Sequence, residues 1–164
     1  MNRRIAFPAL RALLAAGVLV TAAGAGPAWA EPRTYTIDPD HFAIGFQIDH
    51  LGYADVIGMF LKGSGSFVYD EATRTLTSGR VVVAADSVFS NHKARDRHVR
   101  DSDFLDAERH PEIVFEATGF EPGMENGGRL DGRLSGNLTL LGQTHPVTLE
   151  VVLNKLGDLR FARN

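Results

Sequence analysis

Between Arg129 and Leu140 every second residue is leucine or glycine. Leu130, Gly132, Leu134, Gly136, Leu138 and Leu140 form one set; Arg129, Asp131, Arg133, Ser135, Asn137 and Thr139 form the other. A period of two places such sets on opposite faces of a strand, one covered and one wet. The pattern recurs along the chain. Phe42, Ile44, Phe46 and Ile48 alternate with Ala43, Gly45, Gln47 and Asp49, and His50 continues the apolar set. Val56 to Tyr69 carries Ile57, Met59, Leu61, Phe67 and Tyr69, interrupted by Gly63 and Gly65. Leu76 to Ala85 forms a further strand; Ile113, Phe115 and Ala117 mark the next, and Val147, Leu149, Val151 and Leu153 the last. Asp70-Glu71-Ala72-Thr73 and Leu141-Gly142-Gln143-Thr144 read as turns, and Glu121 to Gly128 as a loop punctuated by proline and glycine.

Strands with one polar face and short connections predict an all-β fold built on a curled antiparallel sheet. Periodicity alone leaves sandwich and barrel both open. The in-strand glycines lean toward curling, because glycine within a strand marks a bend, a bulge or a close approach. Leucine alternating with glycine on an apolar face either leaves space or accommodates tight curvature. A barrel of about eight strands is just wide enough to be filled by side chains or to hold one small ligand.

One stretch departs from this pattern. Asn91 to Asp106, NHKARDRHVRDSDFLD, predicts a short helix with its N-cap at Ser90-Asn91. It is too polar and short to stand alone, and Phe104 and Leu105 are its expected anchors on the sheet.

Residues 1–30 have the form of a secretory signal peptide: Arg3, Arg4 and Arg11, an uncharged run from Ala12 to Ala23, and Ala28-Trp29-Ala30 at the cleavage position. The run falls short of the 20 or so apolar residues of a permanent membrane span. Its removal leaves roughly 130 residues, 31–164, enough for a single domain with its own core. The three arginines leave with it and no acid does, so the remainder is more acidic than the whole chain's formal net charge of −3. Asp96 and Asp101 interrupt the only basic cluster, so nucleic acid is not an expected partner. There is no cysteine, which excludes thiol chemistry and disulfides. The six histidines, at positions 41, 50, 92, 98, 110 and 145, lack the convergent spacing of a metal site. No nucleophile-elbow motif accompanies His98 and its neighbouring aspartates. Neither a metal nor catalysis is expected.

Tyr35-Thr36-Ile37-Asp38 with His41, Phe46, His50-Leu51-Gly52, Gly58 and Phe60, and Ser87 with Asn91 form an ordered set. It continues through Arg95-Asp96, His98-Val99-Arg100, Asp103-Phe104, Asp106, Pro111 and Phe115 to the Gly136–Leu149 hairpin GNLTLLGQTHPVTL. Over nearly all of residues 34–153 this set resembles the YceI-like family of periplasmic lipocalin-like proteins. The resemblance implies an antiparallel lipocalin-like β-barrel with one short helix, exported to the periplasm and carrying a long amphiphile, notably a polyisoprenoid, in an apolar lumen. It also implies closing strands beyond Lys155, where this sequence ends at Asn164; the barrel is therefore expected to be incomplete at the C-terminus.

The expected function is that of a non-enzymatic carrier for an isoprenoid-type lipid. The expected lumen residues are Phe42, Ile44, Phe46, Ile48, His50, Phe60, His98, Phe104, Phe115, Leu134, Gly136 and Leu138. His50 is either a core histidine or a polar contact for a ligand head. A bound polyisoprenoid or isoprenoid quinone would be the only non-protein component. Two rivals are an enzyme acting on a lipid-like substrate and a protein–protein module without a ligand. A free sheet edge near Val147–Val151 predicts a homodimer or aggregation.

Overall fold

The computed structural model describes residues 31–155; the signal-peptide expectation for residues 1–30 lies outside them. Nine strands and one α-helix follow in order: β1 (Arg33–Thr36), β2 (Ile44–His50), β3 (Ala54–Phe60), β4 (Gly63–Asp70), β5 (Thr75–Ala84), β6 (Val88–Phe89), α1 (Lys93–Arg100), β7 (Glu112–Asn126), β8 (Arg129–Leu140) and β9 (Gln143–Leu153). Six strands form one antiparallel sheet in the order β1-β4-β5-β7-β8-β9, and β2-β3-β6 form a second. The architecture is all-β and antiparallel with one short helix. Among the described residues the sheets do not close into a barrel, and β9 is an edge.

The segment from Val56 to Tyr69 is two strands in different sheets. The chain leaves the small sheet after Phe60 and enters the large one at Gly63. Period-two patterning cannot register this change, because the apolar alternation continues through it. The expected loop from Glu121 to Gly128 is mostly strand: β7 runs on to Asn126, with register shifts between Ala117 and Gly119 and between Pro122 and Glu125. Pro122 falls at the second irregularity, where a missing N–H is tolerated. The connection from β8 to β9 is reduced to Leu141 and Gly142, both at positive φ (53° and 71°). This is the backbone of a tight two-residue hairpin.

The expected helix forms, but its cap differs. His92 is the N-cap, its Nδ1 accepting from the Arg95 N–H at 3.2 Å. Asn91 turns the chain in the left-handed region, with φ 59°, and Ser90 serves Asp96 instead. The buried Asp96 carboxylate accepts from both the N–H and the hydroxyl of Ser90. The Arg95 guanidinium donates to the Ser90 hydroxyl and carbonyl, and Arg100 donates to the Asp96 carbonyl. Beyond the helix, the buried Asp106 takes φ 44° and pairs with Arg109 at 2.6 Å. The polar motif of residues 90–109 thus builds a self-satisfied connector between β6 and β7. Its expected anchor Phe104 is 52 % exposed, and Leu105 is half-buried.

Candidate functional site: the apolar face of the large sheet

Strand registers assemble one continuous apolar face. Phe67 lies opposite Gly79, Gly79 opposite Ala117, and Ala117 opposite Gly136. Val81 pairs with Phe115, Phe120 with Leu134, and Leu134 with Leu149. Two bulges keep this set together. Between Val68 and Tyr69 the register slips so that Tyr69 faces Leu76, and past Ala117 another slip moves the apolar phase from odd to even positions, bringing Phe120 inward. A one-residue shift swaps faces, so without the second bulge Phe120 would point to the polar side. That side carries Arg80, Glu116, Arg133 and Glu150, linked by exposed ion pairs that contribute little to stability.

The face is concave and holds a cavity of about 210 Å³ lined by residues of β4, β5, β7, β8 and β9. Phe67, Tyr69, Leu76, Val81, Phe115, Phe120, Leu134, Val151 and Leu153 supply its apolar wall. Of the expected lumen residues, Phe115 and Leu134 are part of this wall. Gly136 and Leu138 continue the same face of β8, opposite Ala117 and Phe115. Gly136 is buried, and a Cβ there would overlap the Phe115 ring and the Glu116 carbonyl. Its lack of a side chain is taken up by a cross-strand ring. The same device appears at Gly58, covered by the directly opposed Phe46 ring.

The remaining expected residues lie elsewhere. Ile44, Phe46, Ile48, His50 and Phe60 share one face of the β2–β3 hairpin, where the Phe46 and Phe60 rings meet at 5.6 Å and Phe42 covers Gly63. Ile48 is 58 % exposed, and His50, opposite Ala54 at the hairpin end, is exposed rather than a core histidine. His98 and Phe104 meet edge to face at 4.9 Å beside α1. The His98 Nε2 stands 3.9 Å from the Asp103 carboxylate, both side chains being largely exposed. Among the described residues no three histidine, aspartate or glutamate side chains converge to hold a metal.

Sequence reasoning did not single out Tyr69, Leu76, Val81, Phe120, Val151 or Leu153 as lining. The alternation of Tyr69, Val81, Val151 and Leu153 was visible, but the bulges that turn Leu76 and Phe120 inward were not.

At one end of the cavity the apolar wall meets a polar recess lined by Tyr69, Glu71, Arg74, Glu125, Leu153 and Lys155. Arg74 pairs with Glu125, and the Tyr35 hydroxyl donates to Glu71. That bond is the main reason the Tyr35 hydroxyl titrates above its ordinary range. Burial raises Tyr69 likewise, with the Arg74 charge partly opposing it.

The sequence of residues 35–163 matches a family model, the YceI-like domain. The chain belongs to the YceI-like family. It is 38 % identical over 150 residues to a UPF0312 protein of Vibrio parahaemolyticus, covering 90 % of this chain and 76 % of that protein. A UPF0312 protein of Pseudomonas aeruginosa is also 38 % identical, over 149 residues, covering 91 % of this chain and 74 % of the relative. Protein YceI of Salmonella heidelberg is 38 % identical over 126 residues, 76 % of this chain and 63 % of its own length. Among solved structures, the YceI protein of Campylobacter jejuni superposes with a TM-score of 0.53 at 29 % identity, covering 71 % of this YceI-like chain and 66 % of its own. Burkholderia cenocepacia BcnA, at 22 % identity, matches in fold with a TM-score of 0.57, covering 70 % and 67 %.

Proposed function

We propose that this YceI-like chain is a periplasmic carrier or store for a long isoprenoid-type lipid, a polyisoprenoid or an isoprenoid quinone, held along the apolar face of the large sheet. One observation carries this reading: the cavity wall is contributed by five strands and is apolar almost throughout. Ligand pockets characteristically combine such walls with a few polar groups at one end. Each CH₂ buried there would contribute about 0.8 kcal/mol before ordering costs, so a long chain is retained without strong polar contacts. Binding and release would involve no bond-making, and specificity would follow from the length and shape of the trough. Export to the periplasm rests on the sequence of residues 1–30. The curled face and its polar end favour a bound amphiphile over a protein–protein module.

Extraction of the purified protein with organic solvent, followed by mass spectrometry, tests this directly. A stoichiometric long-chain prenyl lipid is the expected result. Recovery of no lipid, together with failure of long-chain hydrocarbons to displace a fluorescent apolar dye, would overturn the reading.

A further inference from the structure

Tyr69 stands where the apolar cavity passes into the polar recess, and it lines both. It is 5 % exposed, and its hydroxyl has no hydrogen-bond partner among the described residues. Its ring is fixed edge to face against Phe120 at 6.1 Å. Buried hydroxyls almost always find a partner, and an orphaned one destabilises the fold. Phenylalanine would fill the same space without that penalty. The hydroxyl is thus matched to something that arrives with the ligand.

The surroundings narrow what that is. The recess contains two carboxylates, Glu71 and Glu125, and two cations, Arg74 and Lys155. Arg74 is already paired with Glu125, and Glu71 is engaged by the Tyr35 hydroxyl and by Arg33 at 3.9 Å. Phosphate recognition favours bidentate guanidinium donors; here the guanidinium of the recess is committed to Glu125, which leaves Lys155 as a single point charge. A tyrosine hydroxyl is neutral and protonated at physiological pH, so it can donate to an uncharged acceptor.

We propose that Tyr69 is the headgroup-recognition residue of the trough, donating a hydrogen bond to a neutral carbonyl-type oxygen at the polar end of the bound lipid. This rests on the carrier reading and adds the class of headgroup to it. The apolar chain would run from Tyr69 past Phe120 and Leu134 along the sheet. The hydroxyl is closed to solvent among the described residues, so the lining of the recess must shift to admit the acceptor.

The test compares wild type with Tyr69→Phe by displacement of the dye ANS, using a long-chain methyl ketone, the alkane of equal length and the corresponding alkyl phosphate. Wild type is expected to prefer the ketone over the alkane by about three- to tenfold, the worth of one net hydrogen bond, and Tyr69→Phe to bring that ratio close to one. The variant should melt no lower than wild type, because no protein hydrogen bond is lost. An unchanged ketone-to-alkane ratio in the folded variant, a lower melting temperature, or tighter binding of the alkyl phosphate than of the ketone would each overturn the headgroup assignment while leaving the carrier reading intact. Failure of all three probes to displace the dye from wild type would overturn both.

Discussion

Asp96 is one of the few charged side chains that the fold buries, at 6 % exposure. The Ser90 hydroxyl, then the Ser90 N–H and the charges of Arg100 and Arg95, hold its carboxyl below the usual carboxylate range against the opposing effect of burial. A carboxylate whose folded value is depressed stabilises the fold fully above its unfolded value, near about 4. That stabilisation fades as pH falls through the folded value. Asp96→Asn is therefore expected to melt below wild type at neutral pH, with the gap closing as the buffer is taken below about pH 4. Melting curves across a pH series check this; a gap independent of pH would assign the loss to geometry rather than charge. Gly136 makes a different residue-scale point. Its place beneath the Phe115 ring means that a side chain there would strain the sheet before it narrowed any ligand space.

At the scale of elements, α1 and the turns after it are held by polar contacts rather than by an aromatic anchor. Phe104 is half exposed and packs edge to face on His98, itself exposed. A fully buried phenylalanine truncated to alanine costs roughly 3–5 kcal/mol. With half the ring in water, Phe104→Ala should cost no more than about 1 kcal/mol. Denaturant melts with an unchanged slope will measure it, and a loss of several kcal/mol would show that the ring is covered in solution. Asp96 and Asp106, by contrast, tie the segment at both ends to its own backbone, which is why so polar a stretch can connect β6 to β7.

At the scale of the molecule, the core enclosed by the described residues is thin. The buried apolar side chains are Tyr69, Val83, Ala85, Val88 and Leu130, and none of the large ones among the described residues is completely covered. The exposed large apolar side chains lie mostly off the concave face, among them Ile44, Ile48, Tyr53 and Ile57 of the β2–β3 hairpin, while β9 offers an edge with no neighbouring strand among the described residues. Leu149 sits on that edge, opposite Leu134 and 43 % exposed. Exposed edges and large apolar patches favour association. Light scattering over a concentration series is expected to show self-association of the purified protein, and Leu149→Lys to reduce it, since an inward-pointing charge on an edge strand opposes pairing. A monodisperse monomer at every concentration would refute this.

Sequence alone determined the elements and their faces wherever the pattern was regular. The alternation over Arg129–Leu140 gives β8 with its apolar side as observed, and the polar run after Asn91 gives α1. Both are local consequences of side-chain period, which one strand or one turn of helix suffices to express. The tertiary structure decided three matters that no local signal carries. It split Val56–Tyr69 between two sheets, because the exit at Leu61-Lys62 leaves the alternation unbroken. It placed Phe120 and Leu76 inward through bulges on β7 and β5, whose position depends on the partner strand's register. It filled the spaces over Gly58 and Gly136 with rings from neighbouring strands, so that glycine on the apolar face signifies cross-strand packing as well as curvature. Which residues share a cavity is a property of pairing between distant segments, and pairing is settled only when the sheet forms.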